Sequence, residues 1–490
     1  MTLAKDSQYK KVFYFCSMSA IITLVYIALV IAIFYVVLKE RRDPAETLAW
    51  MLVILMLPAI GIIAYILFGR SWRKSKTFSY KDDTVSRNIN EICEKQLHEI
   101  SKENYSELMV KNFVTLMLNN GNSALTVDNK LKILNNGDGC FPIMLKDLKE
   151  ASDFIHLEVF GLESGDLFEM LFAILEERVK AGVEVRVIYD CVGSRALRER
   201  DAKRMEKAGI KAYCYMPVWL PHFANKSNYR NHRKITVIDG KIGYTGGMNI
   251  ADRYLYGTKR GVWRDTQIRV EGSAVAMLNA VFVNDWSFVS NGELLYDDKY
   301  FQAPVVDNIL PMQIATSGPD SPHANIMQAY FAAIGNAKRY IYISTPYLLP
   351  NQAIMTALKV AALSGVDVRI LIPVRGDNII VAWAGYSNID TLMDAGVKVY
   401  LYKKGFVHSK FFAIDDEVCS IGSANLDYRS FNTDFEVQAI IYDGSVTKEL
   451  RDYFLDDLAD SDLITQESWE HRSRLSKIME PVARLFGTLF

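Results

Sequence analysis

Two stretches of the chain repeat one arrangement of chemically active residues. Both follow the pattern His-x-Lys-x4-Asp-x6-Gly-(Gly/Ser)-x-Asn, within residues 231–249 and 407–425. The members are His232, Lys234, Asp239, Gly246, Gly247 and Asn249 in the first copy, and His408, Lys410, Asp415, Gly422, Ser423 and Asn425 in the second. A histidine can act as nucleophile or proton donor, and a nearby lysine supplies a fixed positive charge. The pattern therefore predicts chemistry on an anionic substrate.

The residues between the polar positions place both motifs at β-strands. Ile-Thr-Val-Ile follows Lys234 and Phe-Phe-Ala-Ile follows Lys410, and such β-branched and aromatic runs favour buried strands. Alternate residues of a strand share one face, so each histidine is expected to point the same way as its lysine. Asp239 and Asp415 fall on the opposite face, and we expect them to support the site without touching substrate. The Asp-Gly pair after the first strand predicts a hairpin turn that returns the chain toward Asn249.

With these residues the sequence resembles the phospholipase D superfamily, whose members carry two such motifs. The resemblance implies two halves that meet at a pseudo-twofold axis and build one site. One histidine would attack phosphorus to give a phosphohistidine, and the other would protonate the leaving alcohol and deprotonate the incoming one. Family analogy favours His232 as the nucleophile, but the residues themselves leave the choice between His232 and His408 open. The alternative, two buried histidines in structural hairpins, is disfavoured because the whole pattern repeats.

The resemblance also implies how the substrate phosphate is bound. Lys234, Lys410, Asn249 and Asn425 would hold the non-bridging phosphate oxygens, where charge builds up during transfer. No metal ion and no cofactor are expected, because the lysines and asparagines supply the charge stabilisation.

A further matched pair follows the motifs. Residues 263–267 align with residues 434–438, which places Asp265 opposite Glu436 in the alignment. In the family, the acid at this position hydrogen-bonds a catalytic histidine and fixes its tautomer, so Asp265 and Glu436 are the candidates for that role. The alternative is that both are ordinary solvent-facing acids on edge strands.

Two apolar runs, from Val12 to Leu38 and from Leu48 to Phe68, precede the motifs. Each run is long enough to cross a bilayer as a helix, so the sequence predicts a transmembrane hairpin. A cleaved signal peptide is the alternative for the first run, but no small-residue cleavage site follows it. Lysines and arginines number seven on the outer flanks and three in the connection, which predicts that both ends, and the catalytic domain, are cytoplasmic.

The hairpin region gives a narrower resemblance, to bacterial cardiolipin synthases. It is carried by Arg42-Asp43-Pro44, Trp50, Leu57-Pro58, Gly61, Tyr65 and Phe68-Gly69-Arg70. The resemblance implies a multi-pass enzyme of the cell membrane that takes phosphatidylglycerol as donor and acceptor and forms cardiolipin and glycerol. A phospholipase D hydrolase or a phosphatidylserine synthase would use the same motif residues. A membrane-tethered nuclease of the superfamily is the alternative from another functional class.

An internal repeat accompanies the motifs. Residues 181–186 and 364–369 share an (Ala/Ser)-Gly-Val-acid-Val-Arg sequence between helical and strand-like segments. The alternation of strands and helices predicts an α/β fold with two pseudo-symmetric halves and mixed sheets. The predicted domains are a transmembrane hairpin (1–75), a helical connector (76–125), a first phospholipase D-like half (126–300) and a second half (301–490). A mobile linker is the alternative for the connector.

Composition limits the function classes. A chain of 490 residues, 50% of them hydrophobic, can bury a large core. A formal net charge of −1 gives no sign of nucleic-acid binding. The six scattered cysteines argue against a zinc site or disulfide framework and favour a reducing compartment. The oligomeric state is left open, and the C-terminal stretch around Val482, Leu485 and Phe486 predicts an amphipathic helix that rests on either the membrane or the domain.

Overall fold

The computed structural model describes residues 23–24, 26–39, 44–65, 83–102, 108–121, 123–217, 229–293, 297–304, 306–321 and 323–487. These residues fall into two compact units, one from residues 1–72 and the other from residues 73–217 and 229–490.

The first unit is helical. Its elements are α1 (residues 26–39), α2 (Pro44–Met56) and α3 (Pro58–Ala64). Val37, Ile54 and Tyr65 form its buried apolar cluster, and the Tyr65 ring meets the edge of Trp50. α3 approaches α2 closely at Gly61, where a Cβ atom would lie 2.6 Å from the Val53 carbonyl oxygen.

The predicted transmembrane spans lie in this unit. The first predicted span starts at Val12, outside the described residues, and the last residues of the second lie outside them as well. The second span is two helices, because α2 ends at Met56 and Pro58 begins α3. Within the part of the chain that the structure describes, no single helix has both the length and the apolar character needed to cross a membrane.

The region predicted as a connector contains α4 (Asp83–Lys102), α5 (Leu108–Gly121) and the short strand β1 (Leu125–Thr126). Cys93 of α4 and Phe113 and Met117 of α5 are buried in the apolar core of the second half. β1 pairs antiparallel with a strand of that half, with Leu125 opposite Gln313. These helices therefore contribute directly to the core of the second half.

The first half contains one seven-stranded sheet. Its strands are β2 (Asn129–Asn135), β3 (Phe154–Val159), β4 (Glu184–Asp190), β5 (Lys211–Tyr215), β6 (Ile235–Ile238), β7 (Ile242–Gly246) and β9 (Thr266–Gly272), and a separate short strand is β8 (Val262–Arg264). Its helices are α6 (Asn136–Lys149), α7 (Asp166–Lys180), α8 (Glu199–Lys207), α9 (Arg253–Tyr256) and α10 (Ala274–Val289). The order in the sheet is β2-β9-β7-β6-β3-β4-β5.

The second half contains one larger sheet and shorter flanking strands. Its strands are β10 (Met312–Ser317), β11 (Tyr340–Ser344), β12 (Leu348–Leu349), β13 (Asp367–Pro373), β14 (Lys398–Tyr402), β15 (Gly405–Val407), β16 (Phe411–Ile414), β17 (Val418–Gly422), β18 (Leu426–Asp427), β19 (Glu436–Ile441) and β20 (Ser461–Leu463). Its helices are α11 (Asn325–Asn336), α12 (Gln352–Leu363), α13 (Ile379–Tyr386), α14 (Ile389–Met393), α15 (Tyr428–Asn432), α16 (Gly444–Ala459), α17 (Gln466–Glu470) and α18 (Arg474–Arg484).

The two sheets have the same central order. In the second half it is β10-β19-β17-β16-β11-β13-β14, with β1 and β20 added at the edges. In both sheets the last three strands of this order are parallel to one another, and the other neighbours are antiparallel. The prediction of two related α/β halves with mixed sheets is therefore confirmed.

One feature of the first half differs from the sequence-based expectation. A disulfide joins Cys191 and Cys214, whose Cα atoms are 5.3 Å apart, although the scattered cysteines predicted no such bond. The sequence separation of 23 gives no sign that the two cysteines lie close together in space. Because β4 and β5 pair in parallel with Tyr189 opposite Cys214, the turn after β4 places Cys191 beside β5.

Candidate active site

The first motif lies at the start of a β-hairpin. Ile235–Ile238 (β6) is buried along its whole length and pairs antiparallel with β7. Asp239 and Gly240 form the turn with positive φ angles of 53° and 65°, the geometry that an Asp-Gly hairpin turn requires. The predicted hairpin is confirmed, and His232 stands three residues before its first strand.

Backbone contacts join each motif to the opposite half. The backbone N–H of His232 donates to the carbonyl oxygen of Phe435 at 2.9 Å, and that of His408 donates to the carbonyl oxygen of Arg264 at 2.7 Å. The short strands β8 and β15 pair in parallel, with Val407 opposite Arg264. Each histidine is therefore held on the backbone of the other half, as a pseudo-twofold arrangement requires.

Each histidine also contacts a carboxylate that belongs to the opposite half. His232 Nδ1 lies 2.9 Å and 3.1 Å from the two carboxylate oxygens of Glu436. His408 Nδ1 lies 2.7 Å from Asp265 Oδ2. When the proton is on Nδ1, each imidazole donates to its acid and keeps a lone pair on Nε2 for reaction. The sequence identified both acids, but it did not indicate that each serves the histidine of the other half.

We call these groupings half-sites. The His232 half-site comprises His232, Lys234, Ser423 and Glu436, and the His408 half-site comprises His408, Lys410, Gly247 and Asp265.

The two lysines lie beside the histidines, as their spacing predicts. Lys234 Nζ donates to the backbone carbonyl of His232, and Lys410 Nζ donates to that of His408. Lys410 Nζ also lies 2.9 Å from His408 Nδ1. Lys234 is 2% exposed and Lys410 is 1% exposed, so both cations are held in a region of low dielectric.

Burial sets the protonation of these basic groups. Desolvation lowers the pKa of Lys234 to about 7 and the pKa of Lys410 to about 8, and the ammonium group of Lys410 further lowers the pKa of Lys234. Desolvation likewise lowers the pKa of His408 well below its ordinary value, and Lys410, Lys234 and His232 lower it further by repulsion. The pKa of His232 is also lowered by burial, although Glu436 partly opposes this shift. The site thus brings the basic groups of both halves together in one buried region.

The two acids respond differently to burial. Desolvation raises the pKa of Asp265 to about 6, although the charge of Lys410 opposes the shift. Burial also acts to raise the pKa of Glu436, but His232, Lys234 and a hydrogen bond from Ser423 outweigh it and leave that pKa below the ordinary value. Glu436 is therefore the more firmly ionised of the two.

The third residue of each motif lies apart from the histidines. The Asp239 carboxylate accepts the backbone N–H groups of residues 152–154 at 2.8–2.9 Å, together with the Ser152 hydroxyl. The Asp415 carboxylate accepts the backbone N–H groups of residues 338–340 at 2.6–2.8 Å. Asp239 thus fixes the start of β3 beside β6, and Asp415 fixes the start of β11 beside β16.

The two asparagines have different surroundings. Asn249 Oδ1 accepts the Gly161 N–H at 3.0 Å, and Asn249 Nδ2 donates to the Tyr254 hydroxyl at 3.2 Å. The same hydroxyl lies 3.3 Å from His408 Nδ1, so Asn249 is linked to the histidine of the other half. Asn425 is also buried, and among the described residues its Oδ1 atom has no hydrogen-bond partner.

Tyr254 was not singled out by the sequence. It follows Asn249 by five residues, and the equivalent position after Asn425 is Ser430, whose hydroxyl accepts the Asn425 N–H at 3.1 Å. A search for residues shared by both copies therefore passes over Tyr254, and a comparison of the differences between the copies would have found it.

The two half-sites differ in the residue at the Gly/Ser position of the motif, which is Gly247 in one and Ser423 in the other. Gly247 lies against Asp265, and a Cβ atom at residue 247 would be 2.1 Å from Asp265 Oδ1. At the matching position the Ser423 hydroxyl donates to Glu436. The His408 half-site therefore needs glycine at residue 247 to leave room for Asp265, whereas the His232 half-site uses the Ser423 hydroxyl to hold Glu436.

A buried arginine supports the backbone of each acid. In the first motif, Arg233 Nε donates to the carbonyl oxygen of Glu436 at 3.2 Å, and Arg233 forms an ion pair with Asp285 of α10. For the other acid, Arg264 donates to the carbonyl oxygen of Asp265 at 2.7 Å and binds Asp457 of α16 at 3.0 Å. The two arginines come from different sequence positions, which is why alignment of the motifs did not reveal them.

This arrangement suits phosphoryl transfer. It offers two imidazoles that each contact a carboxylate through Nδ1 and two buried ammonium groups, and the two histidines are near enough for the charge of His232 to lower the pKa of His408. Such a site can form a bond to phosphorus on one side and supply a proton on the other.

Comparisons with known proteins agree with this geometry. Residues 144–286 and 330–458 match the family described as cardiolipin synthase, phospholipase D-like domain, and residues 27–70 match the phospholipase D-nuclease N-terminal family. A cardiolipin synthase of Staphylococcus aureus is 38% identical over 463 residues, which cover 93% of this chain and 94% of that protein. The major cardiolipin synthase ClsA of Bacillus subtilis is 37% identical over 480 residues, which cover 96% of this chain and 99% of that protein.

A solved structure supports the fold independently. The phosphatidylserine synthase of Haemophilus influenzae superimposes with a TM-score of 0.55 at 13% identity, over 73% of this chain and 92% of that one.

Proposed function

The chain belongs to the cardiolipin synthase family of the phospholipase D superfamily, and on this premise we propose that it joins two phosphatidylglycerol molecules into cardiolipin and releases glycerol. The observation that carries the proposal is the exchange of acids, in which His232 is bound to Glu436 and His408 to Asp265. Both imidazoles then present Nε2 to one phosphate between the halves.

In the first step, Nε2 of one histidine attacks the phosphorus of phosphatidylglycerol. The second histidine enters this step as an imidazolium with a proton on Nε2, a form that the negative charge of the bound phosphate favours. The bond from phosphorus to the glycerol headgroup oxygen breaks, and that oxygen takes the Nε2 proton. The product is a phosphatidyl-histidine and free glycerol. Lys234 and Lys410 lie where they can neutralise the non-bridging oxygens, and an anionic phosphate would in turn raise both lysine pKa values.

In the second step, the headgroup hydroxyl of another phosphatidylglycerol attacks the phosphohistidine. The second histidine, now neutral, removes the hydroxyl proton, and the bond from phosphorus to the first histidine breaks. Cardiolipin leaves and the site returns to its starting protonation. Burial of both lysines favours this outcome, because water in the site would give phosphatidic acid instead.

We assign the remaining motif residues to binding and support. Asn249 and Asn425 complete the contacts to the phosphate. The Asn425 amide, whose oxygen has no hydrogen-bond partner among the described residues, is the freer of the two to turn toward it. Asp239 and Asp415 hold the backbone on which the central strands begin. They act on the reaction only through that support.

We propose further that the two apolar runs of residues 12–68 anchor the enzyme in the cell membrane as a hairpin. The match of residues 27–70 to an N-terminal family of phospholipase D-like proteins supports this assignment. The excess of lysine and arginine on the outer flanks places the catalytic halves at the cytoplasmic leaflet, where phospholipid substrates are within reach.

The test is a reaction of the purified full-length chain with labelled phosphatidylglycerol as the sole lipid, in which cardiolipin, phosphatidic acid and glycerol are measured together. Cardiolipin and glycerol in equal amounts are expected. Phosphatidic acid as the main product would instead identify a phospholipase D hydrolase. DNA cleavage without lipid turnover would identify a nuclease, for which the net charge of −1 gives no support.

A further inference from the structure

Helix α18 presents two different exposed faces. Leu475, Ile478, Val482 and Leu485 recur at helical spacing, and they are exposed by 62%, 64%, 44% and 79% respectively. Exposed Arg474, Lys477 and Arg484 form a second stripe along the same helix. An apolar stripe beside a basic stripe is the pattern of a helix that lies in a membrane interface.

A third face fixes α18 to the domain. Glu480 is 2% exposed and pairs with Arg472 at 3.1 Å, and Arg472 also binds Asp390 at 3.1 Å. Ala483 packs with Ala384 of α13 in a shared buried cluster. The helix cannot turn its apolar stripe inward without breaking a buried ion pair, which is a costly change.

The apolar surface continues on α13 toward the active site. α13 begins with Ile379 and Ile380, exposed by 60% and 42%. They directly follow the loop containing Asp377, which accepts a hydrogen bond from Tyr347 at 2.8 Å and lies close enough to Lys410 to influence its pKa. The exposed apolar residues therefore begin two positions after a carboxylate whose charge acts on Lys410 of the His408 half-site.

We propose that this surface, formed by α18 and the start of α13, docks onto an anionic lipid bilayer and presents the active-site entrance to it. The inference rests on the proposed function for the identity of the lipid, since phosphatidylglycerol is anionic. The basic stripe fits such headgroups, and the apolar stripe fits the acyl boundary beneath them. A symmetric contact between two copies through α18 would bring the basic stripes of both together, which disfavours a second copy as the occupant.

The first test places the photo-cross-linker p-benzoyl-phenylalanine at Ile478 of the full-length chain in bilayer discs that contain radiolabelled phosphatidylglycerol. Irradiation is expected to give a lipid adduct at residue 478. The matched control is Met170 of α7, another exposed apolar residue, beside acidic Glu169 and without a basic stripe, where no lipid adduct is expected. An adduct to a second copy of the chain, or no adduct at residue 478, would overturn the proposal.

The second test compares Ile478→Glu with Met170→Glu on two substrates. We expect Ile478→Glu to raise the apparent KM for phosphatidylglycerol in bilayers about tenfold, and to leave turnover of dispersed short-chain phosphatidylglycerol within about twofold of wild type. Met170→Glu should change neither. Unchanged bilayer kinetics for Ile478→Glu would contradict the docking role, as would an equal loss on both substrates.

The two proposals fail separately. A chain that forms the lipid adduct at residue 478 but makes no cardiolipin would refute the proposed function and keep the docking surface. A chain that makes cardiolipin without the adduct would refute the docking surface and keep the proposed function.

Discussion

The half-site around His232 and the half-site around His408 contain the same motif, yet each holds its orienting carboxylate by a different means. Glu436 receives the Ser423 hydroxyl and has a lowered pKa, whereas Asp265 lies against bare Gly247 and has a pKa raised to about 6. Duplication explains the shared geometry. The proposed reaction uses one histidine as nucleophile and the other as acid–base group, and the two half-sites differ in how they support these histidines.

A larger difference is seen in how the carboxylate backbone is secured. On one side the arginine comes from within the motif, as Arg233, and on the other it precedes the acid, as Arg264. Arg233 pairs with Asp285 of α10, and Arg264 pairs with Asp457 of α16. Arginines at two different sequence positions thus give the same support. What both half-sites share is a buried guanidinium group that donates to the backbone carbonyl of the acid.

The largest expected effect tests whether the half-sites are equally necessary. His232→Ala and His408→Ala should each lower the rate of cardiolipin formation by at least about 10⁴-fold, because each removes a group that forms or protonates a bond at phosphorus. The double variant should be no worse than either single variant. Rates are measured with labelled phosphatidylglycerol in mixed micelles, and survival of transfer in either single variant would contradict the two-histidine site.

A trapping experiment on the wild-type protein distinguishes the two histidines. Quenching the wild-type reaction with denaturant and mapping the phosphorylated peptides should find the covalent adduct on one histidine only, and family analogy places it on His232. An adduct on His408 alone would reverse the roles, and adducts on both would remove the chemical difference between the half-sites.

The next effect concerns the exchanged acids. Asp265→Asn and Glu436→Gln keep the size of each side chain and remove its charge, so each should lower kcat by roughly 10²- to 10⁴-fold through its histidine. Unfolding temperatures measured in parallel separate this loss from a general loss of structure. Equal losses would mean that the two histidines depend equally on an ionised partner, and unequal losses would show which role needs it more.

Exchange at the Gly/Ser position should give a smaller and unequal pair of effects. Gly247→Ser puts a side chain where Asp265 Oδ1 now lies, so it should displace that acid and lower kcat roughly tenfold or more. Ser423→Gly removes one hydrogen bond to Glu436 and should cost only about threefold. The measurement is kcat in both variants under the same conditions, and a greater loss in Ser423→Gly would show that the crowding at Gly247 is unimportant.

Much of this site follows from the sequence, because strand periodicity and the Asp-Gly turn are local signals. They indicated the hairpin after His232 and the shared direction of histidine and lysine, whereas the resemblance to the phospholipase D superfamily indicated Asp265 and Glu436. The exchange of acids between halves was not predictable in this way. It depends on β8 pairing with β15, strands that are far apart in the sequence and too short to carry a periodic pattern.

The boundary between the connector and the halves shows the same limit. The helical character of residues 83–121 is visible in the sequence, but the place where Phe113 and Met117 are buried is not. Apolar residues on a helix indicate that a face is covered and give no information on which sheet covers it. Likewise, the spacing of Cys191 and Cys214 conceals their meeting across β4 and β5.

The smallest expected effect is a difference in pH dependence between the half-sites. Because burial raises the pKa of Asp265 to about 6, that acid takes up a proton as the pH falls through 6 and then no longer presents a negative charge to His408. Glu436, with its lowered pKa, stays ionised over the same range. The kcat/KM of the wild type should therefore fall by up to about tenfold per pH unit below pH 6.

The variants Asp265→Asn and Glu436→Gln show which half-site causes this fall of kcat/KM below pH 6, called the acid limb. Asp265→Asn has no group to protonate, so its remaining activity should be nearly flat between pH 5 and 6, whereas Glu436→Gln should keep the wild-type limb. On the alkaline side, loss of charge from Lys234 and Lys410, with pKa values of about 7 and 8, should lower kcat/KM in all three proteins. The loss should begin at a lower pH in the two variants, because Asp265 and Glu436 each raise both lysine pKa values. An acid limb that persists in Asp265→Asn and disappears in Glu436→Gln would place the weaker ion pair on the His232 side and invert the comparison.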